Sequence, residues 1–342
     1  MTAIVIHAAG DLRIEDRPAP PPGPDEVRVR VRRGGICGSD LHYMRHGGFG
    51  PVRLAEPMVL GHEVAGEVED AGAETGFAPG EAVAIDPSLP CGACRFCAAG
   101  ATQHCTDMRF FGSAMRRPHI HGAFRSAITV PARQLVRLPA GLAVERAAFA
   151  EPLAVGLHAA TRAGIGPGMR VIIAGMGPIG LLALLAARHR GAAEIVACDV
   201  LGAPLALAAR LGATETVDLG REPDGLARFA GGKGWFDAGI EASGAASSLA
   251  GLIGVVRPQG RIVQLGLGGD MSLPLMALVS KEIELAGAFR FGPEFAEAVA
   301  LLASGAIDPD PLLSAVLPAE RAAEAFALAA DKARAVKVQL AF

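Results

Sequence analysis

Residues 170–199, RVIIAGMGPIGLLALLAARHRGAAEIVACD, decide the fold of this chain. The run RVIIA is typical of a buried strand, a glycine-rich turn follows it, and LLALLAARHR has the composition of a helix. EIVACD is a second strand-like run. A strand, a tight turn, a helix and another strand make a βαβ unit, so the stretch predicts a parallel sheet covered by helices on both faces.

The turn in this unit has the pattern of a dinucleotide-binding loop, with glycines at Gly175, Gly177 and Gly180. Small residues let the backbone approach a pyrophosphate at the helix N-terminus, where free N–H groups favour anions. Asp199 ends the next strand, close to the offset of about 20 residues typical of a ribose-binding carboxylate. Residues 200–205 contain no Lys or Arg to neutralise a 2′-phosphate. NAD is therefore favoured over NADP. The alternative to a dinucleotide-binding loop is a glycine-rich turn that binds no ligand.

Outward from this unit, strand-like and helical runs keep alternating as far as residue 290, whereas the first 145 residues have short Val-rich runs such as EVRVRVR, separated by Gly and Pro. An amphipathic helix at 293–304 and a final strand, KVQLAF, follow the alternating block. We expect a β-rich domain formed by 1–150 and 291–342, and a doubly wound parallel-sheet domain at 151–290.

Composition excludes several classes of protein. The chain has 342 residues, of which 51% are hydrophobic and 20% charged, and its formal net charge is −3. These values are typical of a globular protein. A net charge so near zero gives no broad electrostatic field that would attract nucleic acid or an anionic membrane. No signal peptide is evident, and the longest uncharged run, 171–187, is interrupted by Gly and Pro. We therefore expect no membrane segment, no nucleic-acid partner and a cytoplasmic location, where thiols stay reduced.

Four of the six cysteines are clustered in CGACRFCAAGATQHC, at Cys91, Cys94, Cys97 and Cys105. Four thiolates on one short loop can surround a tetrahedral Zn²⁺ and leave no coordination position open, which is typical of a structural site. Disulfides and an iron–sulfur cluster are the alternatives, although the long last gap and the lack of a Cys-Pro pair count against a cluster.

A second set of candidate ligands comprises Cys37, in GGICGSDLHY, and His62-Glu63, in LGHEV. Singly, these could be a buried thiol, a hydrogen-bonded imidazole and a surface carboxylate. Together with the four-Cys loop and the nucleotide loop, in this order, they resemble the zinc-dependent medium-chain alcohol/polyol dehydrogenases. The resemblance covers essentially the whole chain, and it implies a GroES-like β-rich catalytic domain joined to a Rossmann domain.

Several roles follow from the resemblance alone. It implies that Cys37, His62 and Glu63 hold a catalytic zinc, with Glu151 contacting the ion directly or through water, so that each chain holds two Zn²⁺. Asp40 would orient the His62 ring. Ser39, followed by His42, would relay the substrate proton to solvent. The cofactor contacts would be Gly175, Gly177, Pro178, Ile179, Gly180, Asp199, Leu265, Ala288, Phe289 and Arg290. The substrate contacts would be Tyr43, Arg109, Phe110 and Arg290.

The implied reaction is hydride transfer from a secondary alcohol of a sugar acid or polyol to NAD. Within the family, the runs RGGICGSDLHY, PMVLGHEV and CTDMRFFGSAM are most similar to those of enzymes that oxidise L-idonate to 5-dehydro-D-gluconate. Sorbitol, xylitol and L-threonine are alternative substrates, and a non-catalytic NAD- and zinc-binding protein is the remote alternative. The resemblance also implies a homotetramer or a homodimer.

Overall fold

The computed structural model describes residues 1–342 and divides them into two compact units. The first unit comprises Met1–Glu151 and Phe295–Phe342, and the second comprises Pro152–Glu294. The first is mainly antiparallel and the second is wholly parallel in its sheet. The contrast follows from the sequence, where short strands with tight turns give way to strands alternating with helices.

The first unit contains most of the strands. They are β1 (Thr2–Ala8), β2 (Asp11–Asp16), β3 (Glu26–Gly35), β4 (Gly48–Phe49), β5 (Val52–Arg53), β6 (Met58–Val59), β7 (Glu63–Ala71), β8 (Ala82–Ile85), β9 (Ser88–Leu89), β10 (Arg109–Phe110), β11 (Ala127–Pro131) and β12 (Leu135–Arg137). Its helices before the second unit are α1 (Gly38–His46), α2 (Arg95–Ala98) and α3 (Val144–Ala147), and α4 (Ala150–Arg162) leads into that unit.

The second unit alternates strands and helices along its whole length. They are β13 (Arg170–Ala174), α5 (Pro178–His189), β14 (Glu194–Asp199), α6 (Gly202–Leu211), β15 (Glu215–Asp218), β16 (Phe236–Glu241), α7 (Ala246–Val255), β17 (Val256–Gln264), α8 (Leu275–Ser280) and β18 (Glu284–Gly287). The chain returns to the first unit through α9 (Glu294–Ser304), followed by β19 (Leu313–Pro318), α10 (Ala322–Ala329) and β20 (Lys337–Ala341).

The main sheet of the first unit joins strands that are far apart in sequence. Its order is β12-β8-β7-β3-β20-β19, and β11 also pairs with β3. A smaller sheet has the order β2-β1-β6. The alternating residues of β3 point Val27, Val29 and Val31 into the core, where they are fully buried. Phe124 and Phe326 meet edge to face in the same core.

The second unit has a single six-stranded parallel sheet in the order β15-β14-β13-β16-β17-β18. Counted within the unit this is the order 3-2-1-4-5-6, which is the doubly wound topology that the sequence predicts. The strand order reverses between β13 and β16, and ligands bind such sheets at the carboxyl ends of the strands beside this point. None of the helices in the chain is long and apolar enough to span a membrane.

Candidate functional site

Two strands of the first unit bring the candidate ligands Cys37, His62 and Glu63 together. Cys37 follows the end of β3 and caps the N-terminus of α1, while Glu63 begins β7 and pairs directly with Gly35 at the end of β3. The thiol sulfur, an imidazole nitrogen and a carboxylate oxygen lie within 4.8 Å of one another. Cys37 is half-buried, whereas His62 and Glu63 are buried.

Glycines make room for this cluster. A Cβ on Gly35 would lie 2.1 Å from Glu63 Oε2, so only glycine leaves space for the carboxylate opposite it. Gly61 has a φ of +92°, and a Cβ there would lie 2.1 Å from the ring of Phe124. The sequence therefore needs a glycine beside each member of the His62-Glu63 pair. Gly35 is needed for space, and Gly61 is needed both for space and for its backbone conformation.

Lys337, from β20, completes the cluster and was not predicted from the sequence. Its Nζ lies 2.7 Å from both carboxylate oxygens of Glu63 and donates to the Ile36 carbonyl at 3.1 Å. Burial alone would lower the pKa of Lys337, but the charges of Glu63 and Cys37 outweigh it and hold that pKa above its usual value. The only signal in the sequence is a lysine at the start of an apolar strand, and its partner is 274 residues away.

Asp40 does not hydrogen-bond to His62 as predicted. Its Oδ1 lies 3.9 Å from His62 Nδ1, which is beyond hydrogen-bond distance, and Nδ1 is buried without a hydrogen-bond partner. The carboxylate instead accepts the backbone N–H groups of Cys37, at 3.0 Å, and Gly61, at 3.2 Å. Both N–H groups are closer to the Asp40 carboxylate than the His62 ring is. Asp40 therefore connects the segment that carries Cys37 to the segment that carries His62.

Glu151 is buried and lies within electrostatic reach of all three ligands. Burial raises the pKa of its carboxyl to about 8; His62 opposes the shift, and Glu63 and Cys37 add to it. Burial, followed by the charge of Glu63, likewise raises the pKa of the Cys37 thiol to about 12. Two acidic groups that hold their protons so firmly in the metal-free chain fit a site built for a cation. A thiolate, an imidazole and carboxylates suit Zn²⁺ with one position left open.

The four-Cys loop brings its sulfurs to tetrahedral spacing. Cys94 Sγ and Cys97 Sγ are 3.5 Å apart, and Cys91 Sγ and Cys97 Sγ are 4.0 Å apart. A tetrahedral Zn²⁺ with bonds of about 2.3 Å separates its sulfurs by about 3.8 Å. All six cysteines are free thiols. The backbone N–H groups of Thr106 and Cys97 lower the pKa of Cys94 to about 5, which favours the thiolate that a metal requires.

The residues predicted for proton relay and substrate contact at α1 have different surroundings. Ser39 donates a hydrogen bond to the Cys37 sulfur, and His42 is partly exposed one turn further on. Burial, reinforced by the charge of His46, lowers the pKa of His42, so its ring is neutral near pH 7. Tyr43 is 1% exposed, and its hydroxyl accepts the N–H of Ala114 at 2.9 Å. This placement favours packing over substrate contact for Tyr43.

Phe110 and Arg109 lie on β10, beside the ligand cluster. The Phe110 ring is buried with its centroid 5.5 Å from that of His62, which places Phe110 at the cluster. Successive side chains of a strand point to opposite faces, so Arg109, which is exposed, points away from His62. The expected contact between Arg109 and the substrate is not supported by this orientation.

The nucleotide loop has the geometry that its glycines predict. Gly175 has a φ of +92°, Gly177 is the N-cap of α5, and Pro178 occupies its first turn. A Cβ on Gly180 would lie 1.8 Å from the Gly175 carbonyl oxygen, whereas one on Gly177 would extend into open space. That space lies at a helix N-terminus with free N–H groups, which suits a pyrophosphate.

A cavity of about 550 Å³ lies beside this loop. Asp199 and Asp224 are its only charged lining residues. The Asp199 carboxylate accepts the N–H groups of Met176, at 2.6 Å, and Leu201, at 2.9 Å. An acidic side chain held in this way at the rim of an apolar cavity fits an adenosine whose ribose hydroxyls donate hydrogen bonds.

The remaining predicted cofactor residues follow β17 and β18. Leu265 donates its N–H to the Glu241 carbonyl, and Ala288 donates its N–H to the Gln264 carbonyl. Arg290 has a φ of +54°, and its guanidinium lies 4.9 Å from the centre of the Phe289 ring. These residues therefore lie at the carboxyl ends of the strands, the edge at which such sheets bind ligands.

Comparison with known proteins gives matches over both units. The model of the alcohol dehydrogenase GroES-like domain matches residues 23–140, and that of the zinc-binding dehydrogenases matches residues 178–304. L-idonate 5-dehydrogenase (NAD(P)(+)) from Escherichia coli (strain K12) is 47% identical over 315 residues, covering 92% of this chain and 91% of that protein. Sorbitol dehydrogenase from Gallus gallus is 37% identical over 329 residues, covering 95% and 92%.

The structural match also covers nearly the whole length of both chains. The crystal structure of L-idonate 5-dehydrogenase from Escherichia coli superposes with a TM-score of 0.94 at 43% identity, covering 100% of this chain and 98% of that one. The matches confirm the predicted fold class, a GroES-like β-rich domain with a Rossmann-type parallel-sheet domain.

Proposed function

This chain belongs to the zinc-dependent medium-chain alcohol dehydrogenases, and on that premise we propose that it oxidises L-idonate to 5-dehydro-D-gluconate with NAD as hydride acceptor. The cluster of Cys37, His62 and Glu63 carries the proposed chemistry, because its ligand atoms lie within 4.8 Å of one another. The choice of substrate rests on the 47% identity to the enzyme from Escherichia coli.

A catalytic zinc, when bound, supplies Lewis-acid polarisation that lowers the pKa of the substrate hydroxyl. Cys37, His62 and Glu63 would hold the ion, and Glu151 would contact it directly or through water. The Ser39 hydroxyl accepts the proton of the substrate and passes it to the neutral His42 ring, which releases it to solvent. NAD, when bound by the second unit, would supply the acceptor for the hydride of the carbinol carbon.

We propose that the second unit prefers NAD to NADP. The adenosine cavity contains Asp199 and Asp224 and no Lys or Arg, so a 2′-phosphate would meet only negative charge there. The name of the relative from Escherichia coli includes both cofactors. Initial rates with NAD and with NADP at equal concentrations test the preference, and faster turnover with NADP would contradict it.

A sugar acid differs from a polyol by its carboxylate, for which an arginine is the natural partner. We propose Arg290 for this role, because the family resemblance places Arg290 near the cofactor and the polyol cleft. Arg290→Gln is then expected to raise KM for L-idonate about 10-fold or more and KM for sorbitol much less. Arg109→Gln is the matched control, since Arg109 points away from the ligand cluster.

The decisive test is oxidation of L-idonate, D-gluconate, sorbitol, xylitol and L-threonine by the purified enzyme, with metal analysis of the same sample. We expect the highest kcat/KM for L-idonate and two zinc ions per chain, one in each site. Sorbitol dehydrogenase at 37% identity makes sorbitol the second candidate. No oxidation of L-idonate would exclude the specific proposal, and oxidation of sorbitol alone would replace it.

We also propose that the protein acts in the cytoplasm as a homodimer or homotetramer. Its free thiols suit a reducing compartment such as the cytoplasm.

The proposed assembly rests on a different surface. β18 is an edge strand with open backbone groups, and nearby Leu275, Met276 and Val279 are 62%, 79% and 64% exposed. A second copy of the chain would cover both the edge and this apolar surface. Light scattering tests the assembly: Met276→Glu with Val279→Glu lowers the measured mass, while Met115→Glu, at another exposed site, does not.

A further inference from the structure

Glu241, at the carboxyl end of β16, has a fully buried carboxylate that the proposed reaction does not use. Oε1 accepts the N–H of Ser243 at 2.8 Å, and the Ser243 hydroxyl also donates to it. Oε2 accepts the N–H of Gly244 at 2.9 Å and the side-chain amide of Gln264 at 2.6 Å. A buried charge with this many donors is well compensated, so it can persist without a cation.

These donors come from two different loops. Ser243 and Gly244 follow β16, whereas Gln264 ends β17. The backbone carbonyl of Glu241 also accepts the N–H groups of Leu265 and Gly266, each at 2.8 Å. One residue therefore connects the loop after β16 to the loop after β17, at the carboxyl edge of the sheet.

The two loops touch with no space for side chains between them. A Cβ on Gly266 would lie 2.2 Å from the Gly244 nitrogen and 2.8 Å from Glu241 Oε2. A Cβ on Gly268 would lie 2.4 Å from the Gly244 carbonyl oxygen. Gly244 has a φ of +75°, a backbone conformation that suits glycine. The position of one loop therefore fixes the position of the other.

Both loops border the proposed cofactor site. Ser243 and Ala245 line the adenosine cavity, and Leu265 is a predicted cofactor contact in the loop after β17. We propose that Glu241 is a positioning residue for NAD, whose carboxylate holds these two loops in the spacing that the whole dinucleotide requires. The proposal rests on NAD being the cofactor.

The carboxylate is needed because all of its partners are donors. A glutamine at position 241 would turn an NH₂ group towards the N–H groups of Ser243 and Gly244 or towards the amide of Gln264. One donor would then face another, and a buried donor would lose its acceptor. An aspartate can still accept the N–H groups two and three residues ahead, as aspartates commonly do in turns, but it is too short to reach Gln264.

Three variants separate the bonds of Glu241 within its own loop from its bond to Gln264 at the end of β17. Isothermal titration calorimetry measures Kd for NAD and for AMP, which occupies only the adenosine cavity. We expect Glu241→Gln to raise Kd for NAD at least 10-fold. Glu241→Asp and Gln264→Leu remove only the side-chain bond between Glu241 and Gln264. They are expected to raise Kd for NAD 3–10-fold and leave Kd for AMP within 2-fold. KM for the alcohol and the zinc content stay at wild-type values in all three.

Glu194→Gln is the matched control, because Glu194 is a partly exposed carboxylate at the opposite end of the same sheet and bonds to Trp235. Its Kd for NAD is expected to stay within 2-fold of wild type. Wild-type Kd for NAD in folded Gln264→Leu and Glu241→Asp would overturn the proposal, even if Glu241→Gln does not fold. A wild-type protein that binds no NAD would instead reject the proposed function, so the two failures are distinguishable.

Discussion

The two candidate zinc sites of the first unit are built in opposite ways. The four cysteines of the loop lie within 15 residues, their ligands are all thiols, and most of them are partly or fully exposed. The other site combines Cys37 with a buried imidazole and a buried carboxylate, and it adds Lys337 from the far end of the chain. A loop can organise ligands by local spacing, whereas a buried mixed site needs the whole sheet to assemble it.

The sites also differ in how they manage charge before a metal arrives. Water can reach Cys91, Cys94 and Cys97 of the loop, which are partly or fully exposed. The Glu63 carboxylate has no such access, and Lys337 supplies a cation inside the protein at 2.7 Å. We infer that only the buried site depends on an internal counter-charge, and the following experiments test this difference.

Cys37→Ser is expected to have the largest effect. It removes a thiolate from the open site, so kcat falls by roughly 1,000-fold or more and zinc falls from about two to about one per chain. NAD affinity is expected to stay unchanged, because the proposed NAD site lies in the second unit. Steady-state kinetics and elemental analysis check this prediction, and retained activity in a zinc-free preparation would contradict it.

Lys337→Met tests the internal counter-charge. Removing one partner of a buried ion pair costs about 3–5 kcal/mol, since the other charge stays buried and uncompensated. We expect a loss of this size in the unfolding free energy of the metal-free protein and a smaller loss with zinc bound. The double variant Lys337→Met with Glu63→Gln is the control, and it is expected to recover most of the stability.

Cys97→Ser tests the loop. Without one thiolate the loop is expected to lose the proposed structural zinc. Stability is then expected to fall by about 2–4 kcal/mol, comparable to the loss of a disulfide that closes a small loop. Because the other site is separate, kcat at 25 °C stays within about 3-fold of wild type. Thermal unfolding with kinetics at low temperature measures both, and a collapse of kcat in the folded variant would show that the sites are not independent.

Gly35→Ala tests how closely the buried site is fitted. The new Cβ would lie 2.1 Å from Glu63 Oε2 and displace the carboxylate. Displacing a group that orients a metal site costs about 10–100-fold in metal affinity or activity. Gly38→Ala is the matched control, because a Cβ there meets nothing within 4 Å. Competition with a zinc chelator gives the affinities, and equal values for the two variants would exclude a tight fit at Gly35.

Asp86 provides the smallest test, as a partly buried carboxylate without a lysine partner. Burial raises the pKa of Asp86 to about 6, although the N–H of Ser88 opposes the shift. Between about pH 4 and pH 6 the folded state therefore holds a proton that the unfolded state has released, so stability falls as pH rises. Asp86→Asn removes this loss, and we expect it to be more stable than wild type by about 1–3 kcal/mol above pH 6 and equal to it near pH 4. Urea unfolding at several pH values measures the difference.

The contrast between the sites also explains how far the sequence could predict them. The Cys91–Cys105 spacing and the nucleotide loop are local patterns, so their chemistry can be inferred from neighbouring residues. Lys337 was missed because nothing in KVQLAF indicates a partner 274 residues earlier. Asp40 was assigned to the wrong partner, since spacing places it near His62 but cannot show that two backbone N–H groups are nearer. The parallel sheet of the second unit could be predicted because its alternating strands and helices are visible in the sequence, whereas the GroES-like domain was predicted from the family resemblance. The matches confirm both.

The discontinuous sheet of the first unit has a consequence for synthesis of the chain. β3 and β7 are made early, but β20 is translated only after the whole second unit. At about 5–20 residues per second the ribosome needs roughly 15–55 s to add the 274 residues between Glu63 and Lys337. During this time the nascent sheet has an open edge at Arg33–Gly35, where β20 later pairs, and an acidic side chain with no counter-ion. The second unit can fold first, and the main sheet of the first unit is completed only when β20 pairs with β3.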